Sequence, residues 1–182
     1  IVARMMGMLC SLIIFLIGND IGDKRVGLIS MIIWYGTYSV AFLSQSAKID
    51  LVWTFFDLLG LYSFMKWYFH NQNRQKKYWL FLSGMFLGIA FGTKQVSAFT
   101  IIILTVAIFH YFYKNKQFSL LSFIKVYAIF IVPISISFVW IIRCYLITGN
   151  LFYTGANLPG NNGIIEFFVT IWDMSMLGNA IS

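Results

Sequence analysis

Few residues in this chain could do chemistry, and they are scattered. Arg4, Lys48, Asp50, Asp57, Lys94 and Arg143 each interrupt or end a long apolar stretch. Lys48 and Asp50 stand two residues apart in the polar island Ser44-Gln45-Ser46-Ala47-Lys48-Ile49-Asp50, and Lys94 is the one charge between Tyr78 and Tyr113. Cations fixed at separate helix ends can converge on a phosphate, Lys as a point charge and Arg as a planar fork that fits phosphate oxygens. A carboxylate beside them can orient a cation or take a proton from an incoming hydroxyl or amine. Taken singly, each cation is equally well explained as one that snorkels to lipid headgroups or caps a helix end.

The elements that must position these residues are membrane helices. Of 182 residues, 60% are hydrophobic and 10% charged, with a mean hydropathy of +0.81, whereas an ordinary soluble domain is roughly 25% charged. The apolar runs are continuous and lack the alternation of a membrane β-strand, so helices are the spanning element. The fold class is all-α, a polytopic helical bundle. Counting apolar stretches against the ~20 residues that a crossing needs gives about six crossings. The chain begins in mid-pattern at Ile1-Val2-Ala3-Arg4 and stops at Ala180-Ile181-Ser182, which reads as an internal piece of a larger protein.

In order, apolar runs extend from Val2 to Gly18, Val26 to Leu43 and Leu51 to Phe69, separated by Asn19–Arg25, by the polar island and by the basic loop Asn71–Lys77. Tyr78–Tyr113 is too long for one helix and reads as two joined by a tight turn at Lys94. Phe118–Ile142 carries Pro133 inside, which a membrane helix tolerates when neighbours satisfy the freed carbonyl. Beyond Arg143, the Pro-Gly and Gly-Asn pairs between Thr148 and Gly163 mark turns. The stretch after Ile164 is interrupted by Glu166 and Asp173.

With alternating helices, Lys24, Arg25, Arg74, Lys76, Lys77, Lys114 and Lys116 fall on one side, and Arg4, Lys48, Lys94 and Arg143 on the other. The positive-inside rule makes the first side cytoplasmic. The isolated cations then face outward together and suit a phosphate-bearing ligand. Asp57, seven residues after Asp50, shares nearly the same helix face two turns deeper; an intramembrane carboxylate faces a bundle interior or a wet cavity. Gly84, Gly88 and Gly92 recur at four-residue spacing, which suits close helix packing. Trp67, Tyr68, Trp79, Tyr111 and Tyr113 flank the basic loops as an aromatic belt does. Cys10 and Cys144 read as small buried hydrophobes. Neither they nor His70 and His110 have metal-ligand spacing, so no metal site is assigned.

Arg4 opening a helix, the turn Gly22-Asp23-Lys24-Arg25, the island Gln45–Asp50, the segment Gly84–Lys94 and the later Arg143–Tyr153 together resemble membrane glycosyltransferases of GT-C type. The closest group is the dolichyl-phosphate-mannose-protein mannosyltransferase-like family, glycosyltransferase family 39, with its aminoarabinose transferases. The resemblance implies a transferase that passes a sugar from a polyprenyl-phosphate donor to a lipid, glycan or protein acceptor on the outer face of the plasma (inner) membrane. It implies that residues 1–182 are part of one multi-pass domain, whose first helix, first outer loop and C-terminal region lie outside the chain. The family's catalytic base sits in that first outer loop, and is therefore expected upstream of Ile1.

Within this chain the resemblance carries Asp50 over as a supporting acidic residue and Lys94 as the lysine that closes the Gly-x-x-x-Gly-x-x-x-Gly-Thr-Lys segment. Lys48 departs from the family's commoner Arg or small residue. Donor-phosphate contacts are expected from Lys94, Arg4, Lys48 and Arg143. Family members use no certain cofactor, with room for a divalent metal, and membrane lipids but no nucleic acid are the other expected partners. The alternative class is a transporter or flippase for a lipid-linked or anionic solute; it predicts broken helices and an internal repeat. No repeat is visible, and Asp57 is the one feature in its favour.

Overall fold

The computed structural model of the chain describes residues 2–45, 49–69, 73–114 and 120–148. Among them, regular structure is entirely helical: α1 Val2–Ile21, α2 Lys24–Gly36, α3 Tyr38–Gln45, α4 Asp50–Phe69, α5 Asn73–Thr93, α6 Ser97–Lys114, α7 Leu120–Ile134 and α8 Ile136–Thr148. Residues 1–137 form one compact unit. A second unit begins at residue 138, and its described part is the remainder of α8.

Three described stretches are long and apolar enough to cross a membrane: Arg4–Ile21, Ser97–Lys114 and Leu120–Arg143. Helices α4 and α5 have the length, at 20 and 21 residues. However, α4 carries Asp50, Asp57 and Lys66, and α5 opens on Asn73-Arg74-Gln75-Lys76-Lys77.

The basic segment Asn71–Lys77 is thus not all loop, because α5 already begins at Asn73. Similarly, the first loop shrinks to Gly22-Asp23. Asp23 caps α2, its carboxylate accepting from the backbone N–H groups of Arg25 and Val26, both at 2.9 Å, which satisfies two of the orphan donors at a helix start.

Two apolar runs that read as single helices are broken. Val26–Leu43 divides at Thr37, whose backbone is extended (ψ 128°) and whose hydroxyl donates to the Ile33 carbonyl at 2.8 Å. Threonine can satisfy a carbonyl that the helix leaves open, and the preceding Gly36 lowers the cost of stopping there. Phe118–Ile142 divides at Ser135. Pro133 lacks the N–H that would continue the ladder, and the chain turns through Ser135 N–H and Oγ bonds to the Val132 carbonyl, at 3.1 and 2.6 Å.

Packing is built on close backbone approach. A Cβ on Gly84 would collide with the Phe130 carbonyl, and one on Gly88 would lie 3.0 Å from Ile134 Cα, so the glycine face of α5 seats α7. Gly92 is looser, 3.7 Å from Ser137 Cβ. A second close contact joins α1 to α2, where a Cβ on Gly18 would lie 2.8 Å from Gly27 Cα. On α4, Gly60 faces Leu87 and its carbonyl accepts from Ser83 Oγ at 2.8 Å.

The core runs through α4, α5, α6 and α7: Phe64, Trp67, Leu80, Leu87, Leu104, Ile108, Phe112, Phe130 and Ile134. Trp67 belongs to it. Only 4% exposed, it meets Tyr111 at 4.9 Å between ring centroids and Phe64 at 5.2 Å. It therefore packs helix against helix and does not serve the lipid interface, whereas Tyr113, at 75% exposure, is placed as an interface residue would be.

Candidate functional site

Helix directions decide which polar residues share an end. Cys10 Sγ contacts the Leu51 carbonyl at 3.7 Å, and Asp20 pairs with Lys66 at 2.7 Å. Both contacts advance along α1 and α4 together, so these helices run parallel. Antiparallel to α4 runs α5, with Ser83 against Gly60 and Lys94 against Asp50. The Lys76 ammonium reaches the Tyr111 hydroxyl at 3.4 Å, which puts the start of α5 beside the end of α6. One end of the bundle therefore holds Asp20, Lys24, Arg25, Lys66, Lys76 and Lys114. The other holds Asp50 and the Lys94 turn. Arg4 lies on this second end, six residues before Cys10, or about 9 Å further along α1 at ~1.5 Å per residue.

The structure brings two of the expected site residues into contact. The Lys94 ammonium pairs with Asp50 Oδ1. Lys94 is fixed by its turn: its N–H bonds the Ala90 carbonyl at 2.8 Å, and its carbonyl accepts from Ser97 N–H at 3.2 Å. Asp50 is fixed as the first residue of α4, where a carboxylate complements the helix dipole. The pair is part-buried, with side-chain exposures of 32% for Lys94 and 24% for Asp50.

Behind the pair lies a polar seam that the sequence reading only partly named. Trp53 sits one turn after Asp50, with the Lys94 ammonium 5.6 Å from the centroid of its ring. Its indole N–H donates to Ser97 Oγ at 2.5 Å. One turn deeper, Asp57 faces Ser97 and Thr100, with Thr100 Oγ1 donating to Asp57 Oδ2 at 3.0 Å. Asp57 Oδ1 is buried and has no hydrogen-bond partner among the described residues. Thr54, between Asp50 and Asp57, turns back on its own helix and donates to the Asp50 carbonyl at 2.8 Å. The legible signal for Trp53 was its spacing, three residues after Asp50 and four before Asp57.

Arg4 is exposed on α1. Lys48 lies outside the described residues, as do His70, Lys116 and everything from Gly149 onward. Arg143 is exposed on α8 but does not end its helix, which continues to Thr148. Cys10 is fully buried, as a small core hydrophobe would be, and among the described residues no cluster of His, Cys, Asp or Glu has metal-binding geometry.

Chemically, the arrangement offers a lysine of fixed position with donors to spare. An ammonium has three N–H groups, and Asp50 takes one. A fixed cation at a partly dry surface can stabilise negative charge that builds on a leaving phosphate without reorganising.

The decisive comparison covers residues 1–153, which match the dolichyl-phosphate-mannose-protein mannosyltransferase family. The chain belongs to that family. Membership makes it a membrane glycosyltransferase at the family level, with sugar transfer of the GT-C type as its general function. The matched span takes in all of α1–α8, so the Asp50–Lys94 pair and the seam behind it are parts of the mannosyltransferase family's own region. No curated protein and no solved structure matches the chain.

Proposed function

We propose that this chain is part of a multi-pass transferase domain of about six crossings. It passes a sugar from a polyprenyl-phosphate donor to an acceptor on the outer face of the membrane. The observation that carries this reading is the Asp50–Lys94 ion pair at the turn between α5 and α6, in a chain of the mannosyltransferase family.

Lys94 meets the donor phosphate, and Asp50 orders Lys94. Because Asp50 neutralises Lys94, the pair alone has no surplus charge with which to draw an anion. Arg4, at the same end of the bundle, supplies that surplus, and Lys48 and Arg143 are further candidates. A lipid-linked donor suits this place, since a polyprenyl chain lies in the hydrocarbon while its phosphate stays at the surface. The transporter or flippase alternative has Asp57 and the helix breaks at Thr37 and Ser135 on its side; the α6 hydroxyls that face the carboxylate give the first a structural explanation, and each break closes on hydrogen bonds within its own segment.

The test is transfer from a polyprenyl-phosphate sugar by the full-length enzyme in membranes. Lys94→Ala and Asp50→Asn should each lower turnover by at least about tenfold, on the scale of losing one electrostatic contact in a transition state. Wild-type turnover in both variants, at normal membrane abundance, would overturn the assignment.

A further inference from the structure

We infer that Trp53 is a positioning residue for Lys94, held in place by Ser97, and that the ring face of Trp53 sets where the ammonium meets the donor phosphate. The inference rests on the reading of Lys94 as the phosphate contact and adds a determinant that neither charge nor spacing had named.

Three observations converge. First, the Lys94 ammonium lies 5.6 Å from the centroid of the Trp53 ring, within the ~6 Å over which a ring face attracts a cation. Second, the ring is anchored: its N–H donates to Ser97 Oγ at 2.5 Å, and Ser97 is fully buried. Third, the anchor is itself seated. Ser97 opens α6, its backbone N–H bonds the Lys94 carbonyl at 3.2 Å, and its side chain faces Asp57.

Hydrogen bookkeeping makes the seam directional. Indole N–H is donor only, so Ser97 Oγ must accept from it, which leaves the hydroxyl hydrogen of Ser97 for another acceptor. Asp57 is the carboxylate that Ser97 faces: its Oδ2 accepts from Thr100, and its Oδ1 has no hydrogen-bond partner among the described residues, so that oxygen is open to the Ser97 hydroxyl. With that oxygen as acceptor, the order Trp53 to Ser97 to Asp57 uses each hydrogen once, and the bond from Trp53 to Ser97 fixes the plane of the indole. Asp50 and the Trp53 face then hold Lys94 from two directions. An ammonium on a flexible four-carbon stem gains position that one carboxylate alone would not give it.

The experiment measures binding of farnesyl phosphate to the full-length protein purified in detergent, with farnesol as the phosphate-free control, in a double-mutant cycle. Trp53→Leu should weaken farnesyl phosphate binding about fivefold, the scale of a partly desolvated cation–π contact. Trp53→Phe, which keeps a ring face, should weaken it less than Trp53→Leu does. In a Lys94→Ala background Trp53→Leu should change nothing further, and farnesol binding should be the same throughout. Ser97→Ala keeps the indole and loses its anchor; it should weaken phosphate binding about twofold to threefold, again only when Lys94 is present, and it carries the test if Trp53→Leu does not fold. Equal weakening by Trp53→Leu with and without Lys94 overturns the inference, as does no weakening at all. If Lys94→Ala weakens binding and the Trp53 and Ser97 variants do not, the inference alone fails. If Lys94→Ala binds farnesyl phosphate like the wild type, the reading of Lys94 falls and takes the inference with it.

Discussion

Asp50 and Lys66, near the two ends of α4, each sit in an ion pair of similar exposure, yet the two pairs stand in different company. Asp50–Lys94 is backed by Trp53, Ser97, Asp57 and Thr100. Asp20–Lys66 sits at the basic end, with Tyr62 beneath the ammonium at 5.4 Å. Exposed pairs contribute about 0–1 kcal/mol, so Asp20→Asn should leave transfer unchanged and shift stability by less than about 1 kcal/mol in thermal unfolding of the detergent-solubilised protein. A transfer loss in Asp20→Asn comparable to that in Asp50→Asn would show that both pairs act through the bundle and not through a site. Asp50 and Lys94 were each conspicuous in the sequence as polar breaks in apolar runs. Their partnership was not, because 44 residues separate them and Lys48 stood much nearer. Trp53 was hidden for a different reason: in a membrane helix an aromatic is the ordinary residue, so its helical spacing from Asp50 and Asp57 did not stand out without its neighbours on α5 and α6.

At the level of helices, apolar runs and charged breaks gave the element order, and they failed where the breaking residue was itself apolar or weakly polar. Gly36-Thr37 and Pro133–Ser135 carry no charge, so the hydropathy pattern passes straight through both bends. The spacing of Gly84, Gly88 and Gly92 did predict a packing face, and the structure grades it. Gly84→Ala should push α5 from α7, because the new Cβ meets the Phe130 carbonyl, a backbone atom that cannot step aside. The expected cost is about 1–3 kcal/mol, the usual range for overpacking. Gly92→Ala, with 3.7 Å to its nearest neighbour, should be within about 0.5 kcal/mol of the wild type. Thermal unfolding of the two variants in detergent checks the contrast, and equal stability would mean that α5 and α7 are not packed as described.

Across the whole molecule, charge separates the two ends of the bundle: Lys24, Arg25, Lys76 and Lys114 lie at one, Arg4, Asp50 and Lys94 at the other. Charge patterning could suggest this because short loops keep their sign bias; it could not supply the depth at which Asp57 meets α6. The proposed orientation has a direct readout. With Cys10 and Cys144 replaced by serine, Ile49→Cys should react with a membrane-impermeant thiol reagent added to intact cells, and Lys24→Cys should react only after permeabilisation. The reverse pattern would put the Asp50 end in the cytoplasm. The α4–α6 contact also bears on how the protein is made. During synthesis α4 emerges with Asp57 before Thr100 exists, 43 residues later, and an acidic residue at the centre of an inserting helix costs ~2.5–3.5 kcal/mol. The α4–α5 hairpin, which the Ser83–Gly60 bond joins in the finished fold, should therefore be held near the insertion machinery until α6 arrives. The helix that brings Thr100 to Asp57 also brings Ser97 to Trp53, so the carboxylate gains its partner and the indole its anchor in the same step of assembly.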